Sequence, residues 1–211
     1  MKELRILASG AAAAALLLDP TASALPEASA DGCPDVEVVF ARGTNEPPGL
    51  GRVGDGLVGA LRSQTGRSVG AYAVNYPASY DFGRAADGAN DASAHVMWMV
   101  QNCPGTRLVL GGYSQGAAVI DIVAAAPVPG FGFTSPLPPE AAEHVAAIAV
   151  FGNPSNKIGQ PLTNSPVYGF KTIDLCTGGD PVCSPGRNFA AHSGYTPSMT
   201  TQAASFVAGL L

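Results

Sequence analysis

A chain of 211 residues is long enough for one domain with a sizeable core and too short for two large ones. Charged residues make up 13%, about half the usual share, while 46% hydrophobic residues, 26 glycines and 18 prolines exclude both disorder and a long coiled coil. The net charge is −5 and the 11 basic residues are scattered singly, which excludes a nucleic-acid-binding module and gives no electrostatic footprint for anionic headgroups.

Residues 1–30 read as a secretory signal peptide. Lys2 and Arg5 form a short basic region, residues 6–18 an apolar stretch, and Ala22-Ser23-Ala24 or Ala28-Ser29-Ala30 a cleavage site of small residues. The stretch falls short of the roughly 20 residues that span a bilayer, so a membrane anchor is the weaker alternative, along with a buried helix. Cleavage after Ala30 leaves a single domain, 31–211, that is released or retained in the envelope without stable membrane insertion.

Five segments of the remaining chain read as strands: 36–41, 71–76, 107–111, 145–151 and 171–176. Most are apolar on both faces, as a parallel sheet covered on both sides requires. Helical patterns cover 53–64, 89–102, 115–126 and 200–211. This alternation predicts an α/β fold with right-handed crossovers. Segment 127–139, PVPGFGFTSPLPP, is too rich in proline for a helix or a central strand and is read as a surface loop. Its Phe131, Phe133 and Leu137 either tuck back onto the body or form an apolar lip beside a site.

The 4 cysteines suit an oxidising compartment and allow three disulfide pairings. Cys176 and Cys183 bracket a turn-rich stretch, so their pairing is the easiest to close and leaves Cys33 with Cys103. Chain entropy assigns about 2.5 kcal/mol to the short loop and about 4 kcal/mol to the long one. Zinc is disfavoured because no cysteine has a C-x2-C partner or a histidine at ligand spacing.

Gly112-Tyr113-Ser114-Gln115-Gly116 is a GxSxG pentapeptide, a weak signal by itself in a glycine-rich chain. Its context strengthens it. An apolar strand feeds it and a helix leaves it, which is the setting of a nucleophile elbow, where glycines allow close backbone approach around a strained serine. Ser114 needs a base to take its proton. In this architecture the acid and the histidine follow the serine, which sets His95 aside. His144, at the entry to a strand, reads as a surface histidine, whereas His192 lies in a loop between the last strand and the final helix. For the acid, Asp180 and Asp174 are the candidates. Asp174 falls inside a strand; Asp180 lies beyond the strand's carboxyl end, in the loop that a 176–183 disulfide would clamp, and is favoured. A second oxyanion donor beside the Gln115 N–H is expected from Arg42-Gly43-Thr44-Asn45, with the Thr44 N–H, and its hydroxyl, as candidates.

FARGTNE at 40–46, YAVNYPAS at 72–79, GGYSQGAAV at 111–119, the CTGGDPVC loop and the following His192 together resemble the cutinase family, most closely its mycobacterial branch. The likeness runs from Cys33 to Leu211. It implies a compact α/β-hydrolase with a five-stranded parallel sheet, Ser114 as nucleophile, Asp180 as acid, His192 as base, Thr44 and Gln115 in the oxyanion hole, and neither metal nor organic cofactor. Two departures bear on substrate range: Thr44 stands where fungal members commonly have serine, and 127–139 has no clear counterpart.

The expected function is a secreted, monomeric serine esterase acting on short- to medium-chain acyl esters or cutin-like polyesters, with Phe131, Phe133 and Phe189 flanking the acyl slot. The alternatives are a lipase, a phospholipase or an acyltransferase of envelope lipids, and an idle lipid-binding protein.

Overall fold

The computed structural model of the chain describes residues 32–125 and 128–211; the signal-peptide reading of 1–30 lies outside the described residues. Val36–Ala41 carries no glycine or proline and forms strand β1. The others are β2 (Val69–Ala73), β3 (Arg107–Tyr113), β4 (Val145–Phe151) and β5 (Thr172–Leu175). They make one parallel sheet in the order β2-β1-β3-β4-β5. All of β4 is buried, as befits a strand covered on both faces.

The helices are α1 (Gly51–Thr65), α2 (Ala85–Asn102), α3 (Gln115–Ala125), the short α4 (Ala141–His144) and α5 (Pro154–Lys157), and α6 (Ser198–Ala208). Strand side chains alternate between two cores. Val36, Val38 and Phe40 pack with Leu57 and Leu61 of α1 and Val207 of α6, while Val39 and Ala41 pack with Val96 of α2 and Ile120 of α3. The fold is therefore an α/β sandwich of the α/β-hydrolase kind.

Of the boundaries that differ from the sequence expectation, three have a clear physical reason. The second strand pairs over 69–73 rather than 71–76, because its register against β1 runs from Val69 opposite Val36 to Ala73 opposite Phe40. Burial continues past Ala73 through Val74, whose N–H still donates to the Phe40 carbonyl, to Tyr76, and this hydropathy extends the expected strand. The second helix starts at Ala85 instead of 89, since the buried first-turn residues Ala85, Ala86 and Gly88 are too small to register as apolar periodicity. The third strand continues through Gly112 and Tyr113, paired with Val150 and Phe151 of β4.

Because β1 and β3 are neighbours while β2 lies on one side and β4 and β5 on the other, the sheet has its switch point between them. The loops after β1 and β3 meet there, in the crevice where open α/β sheets bind ligands. Disulfides join Cys33 to Cys103 and Cys176 to Cys183.

Candidate active site

Ser114 sits between β3 and α3 with φ +56°, in the left-handed region that a serine rarely adopts. Its N–H donates to the Phe151 carbonyl at 2.8 Å, and its carbonyl accepts from the Ala117 N–H at 2.9 Å. A Cβ on Gly112 would strike the Gly116 carbonyl, and one on Gly116 would strike the Ala41 carbonyl. The two outer glycines are thus what lets β3, α3 and β1 converge on the turn.

His192 lies in a short 3-10 turn, Ala191–Ser193. Its Nε2 is 2.9 Å from Ser114 Oγ, and its Nδ1 is 2.7 Å from Asp180 Oδ2. A carboxylate can only accept, so Nδ1 carries the proton and Nε2 presents its lone pair to the serine hydroxyl. Two neighbours fix the ring. Tyr113 stacks on it at 5.1 Å between centroids and donates its hydroxyl to the His192 carbonyl at 2.6 Å. Gly152, at φ +59°, lies beneath it, and a Cβ there would be 2.9 Å from His192 Cε1.

Asp180 is fully buried. Burial pushes its carboxyl up, but hydrogen bonds from Tyr195, His192 and the Val182 N–H outweigh this and hold it below the usual carboxylate range. The Tyr195 hydroxyl donates to Oδ2, and the Val182 N–H to Oδ1 at 2.7 Å. Tyr195 is itself held by the Thr177 N–H at 3.2 Å and by edge-on packing against Phe151. No sequence signal marked Tyr195: it falls in an irregular segment, and its partner is 15 residues away.

Asp174, the other candidate acid, faces different partners. It accepts from Asn153 Nδ2 at 3.1 Å and Asn156 Nδ2 at 2.8 Å, in a partly buried cluster shared with Asp121. His95 pairs with Glu37 and stacks on Tyr72, and His144 ends α4, where β4 enters the sheet.

Thr44 follows β1, and its hydroxyl donates to Gln115 Oε1 at 3.2 Å, so the two expected oxyanion donors are neighbours. That bond commits the single hydroxyl proton of Thr44. Neither backbone N–H has a protein acceptor among the described residues, and that of Gln115 also opens α3, where the helix dipole favours negative charge.

The structure separates the three phenylalanines. Phe189 is 75% exposed, and its carbonyl accepts the His192 N–H at 3.1 Å, which sets it beside His192. Phe133 is 2% exposed and packed into the core, so it offers no surface to a substrate, contrary to expectation. Phe131 is fully exposed but lines a separate hollow of about 350 Å³ with Ala86 and Ile122. Ile122 lies seven residues along α3 from Gln115, about 10 Å at the helical rise. The segment tucks back because Asn90 of α2 pins it, donating to the Gly132 carbonyl and accepting from the Thr134 N–H, both at 2.8 Å.

Cys176, Asp180 and Cys183 form the one cluster of potential metal ligands among the described residues, but both sulfurs are in the disulfide and no thiolate is available. No helix among the described residues is long and apolar enough to cross a membrane.

A parallel sheet with a serine on a strand-to-helix elbow, hydrogen-bonded to a histidine, defines the class: an α/β-type serine hydrolase. The sequence profile of the family described as Cutinase matches residues 32–211. Phospholipase Culp4 of Mycobacterium tuberculosis is 63% identical over 204 residues, covering 96% of this chain and 89% of that protein. Probable carboxylesterase Culp3 of the same organism is 54% identical, covering 98% and 84%. Among solved structures, the Trichoderma reesei cutinase in complex with a phosphonate inhibitor superposes with a TM-score of 0.67 at 32% identity, covering 84% of this chain and 77% of that one. An acetylxylan esterase superposes with a TM-score of 0.72 at 28% identity, covering 84% and 99%. The chain belongs to the cutinase family and is a serine ester hydrolase.

Proposed function

We propose that Ser114, His192 and Asp180 form the catalytic triad of a secreted, monomeric carboxylesterase, exported by residues 1–30 and active as the domain 31–211. The observation that carries this is the unbroken hydrogen-bond chain from Ser114 Oγ through His192 to a buried, charged Asp180. Ser114 Oγ attacks the ester carbonyl as its proton passes to His192 Nε2, and Asp180 stabilises the imidazolium. The Thr44 and Gln115 N–H groups receive the charge that develops on the carbonyl oxygen. His192 then gives its proton to the departing alcohol, and water, activated by the same nitrogen, releases the acid from the acyl-enzyme.

The substrates are short- to medium-chain acyl esters or cutin-like polyesters, with Phe189 beside the acyl chain. A phospholipid substrate is the second reading, favoured by the 63% identity to a protein named as a phospholipase. Ser114→Ala is the test: the variant keeps its fold and both disulfides and loses p-nitrophenyl butyrate turnover by about 10⁴-fold or more. An alanine variant of wild-type activity contradicts the assignment.

A further inference from the structure

The turn after β1 has four consecutive backbone amides, and three are satisfied within the protein. The Gly43 N–H donates to Glu46 Oε2 at 2.7 Å, the Asn45 N–H to the Ala78 carbonyl at 2.7 Å and the Glu46 N–H to the Gly43 carbonyl at 3.2 Å. Thr44 alone has no acceptor among the described residues. The turn also holds Asn45 at φ +61°, a left-handed conformation that its surroundings must maintain.

Two side chains supply those surroundings. Arg42 is buried beneath the turn; its Nε donates to the Glu46 carbonyl at 2.9 Å, Nη2 to the Tyr76 carbonyl at 2.7 Å and Nη1 to the Val74 carbonyl at 3.4 Å. The Tyr76 ring lies 5.2 Å from its Cζ, and the Tyr76 hydroxyl donates to the Arg42 carbonyl at 2.5 Å. Glu46 joins the turn to the next helix, accepting from Gly43 with Oε2 and from the Arg52 N–H of α1 with Oε1 at 3.0 Å. Gly51 leaves room for this carboxylate, since a Cβ there would strike Oε2. A planar fork satisfying three carbonyls and a carboxylate satisfying two amides fix the turn from both sides.

We propose that Arg42 and Glu46 are positioning residues of the oxyanion hole, holding the turn so that the Thr44 amide alone stays free for the reacting carbonyl oxygen. The proposal rests on the reading of Thr44 as an oxyanion donor. Stabilisation of this kind depends on donors fixed before the charge forms, so loosening the frame weakens transition-state binding more than ground-state binding.

Glu46→Gln tests it with nearly unchanged shape: one carboxylate oxygen becomes an amide that must face a backbone N–H, donor against donor. On p-nitrophenyl butyrate we expect kcat to fall about 10- to 100-fold, short of the roughly 10²- to 10³-fold cost of losing a donor outright, with KM within about twofold. The inhibition constant of butaneboronic acid, whose adduct on Ser114 places an oxygen where the oxyanion forms, rises by the factor lost in kcat/KM. Arg42→Lys keeps the charge but cannot serve three carbonyls; it gives the same pattern and serves in place of Glu46→Gln if that variant does not fold. Wild-type kcat in a folded variant, a loss confined to KM, or a loss that only tracks the folded fraction overturns the proposal. If wild type itself is inactive and its Ser114 unreactive toward a fluorophosphonate, the underlying reading of the site falls, and this proposal with it.

Discussion

Asp180 remains charged in a position without solvent because three donors converge on its two oxygens. A carboxyl held below its ordinary range contributes stability that is present above the unfolded-state value, near 3.8, and is lost as pH falls through the lowered native value. Tyr195→Phe removes one donor and leaves the ring packing in place. We expect it to cost about 1.5–3 kcal/mol at neutral pH, the worth of a hydrogen bond to a charged group, and to lower kcat. In urea denaturation the gap from wild type narrows as pH drops below the carboxylate range; a gap independent of pH contradicts this account. Ser114 and His192 are legible as candidates in the sequence because a local motif marks the first, and chain order with a loop position after the last strand marks the second. Asp180 is favoured over Asp174 by its place beyond a strand end, in the loop that the 176–183 disulfide clamps, and by the family resemblance. The donors that set its charge were hidden, since Tyr195 and Asp180 meet through a loop path that no periodicity encodes.

At the scale of elements, the cluster of Asp121, Asn153 and Asp174 ties α3, the turn after β4 and β5 together. Asn153 is fully buried, and its Nδ2 reaches both carboxylates at 3.1 Å. Burial pushes Asp121 up to about 6, against the opposing hydrogen bonds from Ser155 and Asn153. The native state therefore holds a proton that the unfolded chain releases near pH 3.8, so stability falls as pH rises from about 4 to about 6. The difference between those two values amounts to on the order of 3 kcal/mol. Asp121→Asn removes that titration. Its urea midpoint changes less than that of wild type between pH 4.5 and pH 7.5, and an equal change in both contradicts the assignment. Nothing in the sequence pointed to this cluster, because a helix aspartate, a strand aspartate and an asparagine after a third element share no spacing rule. The sheet was legible for the opposite reason: runs such as Val145–Phe151 are apolar on both faces, and only strands covered on both sides need that. The expected second strand overruns because burial continues to Tyr76, past the bond from the Val74 N–H to the Phe40 carbonyl of β1.

Across the whole molecule the two disulfides sit at opposite ends of the sheet. Cys33–Cys103 joins the chain before β1 to the end of α2, and Cys176–Cys183 closes the loop that carries Asp180. Serine replacement of the first pair costs stability, about 4 kcal/mol by chain entropy, and leaves kcat near wild type at temperatures where the protein is folded. Replacing the second costs about 2.5 kcal/mol and lowers kcat as well, because Asp180 loses its clamp; equal effects on kcat contradict this division. The apolar surface divides similarly. Phe189 stands beside His192, whereas segment 128–139 folds against α2 and α3, so Phe189→Ser reduces turnover of octanoate esters more than of acetate and Phe131→Ser changes neither. Proline content marked that segment as a loop, but not which face of the body it would cover; its long-range bonds to Asn90 decide that. The central claim, that the hydrogen-bonded serine at the switch point is the nucleophile, is tested most directly by treating the folded, oxidised protein with a fluorophosphonate and mapping the adduct by mass spectrometry. A single adduct on Ser114, formed in step with the loss of p-nitrophenyl ester turnover, is the predicted result. An unmodified Ser114 in a sample that turns over ester, or an adduct on another serine that tracks the loss, contradicts it.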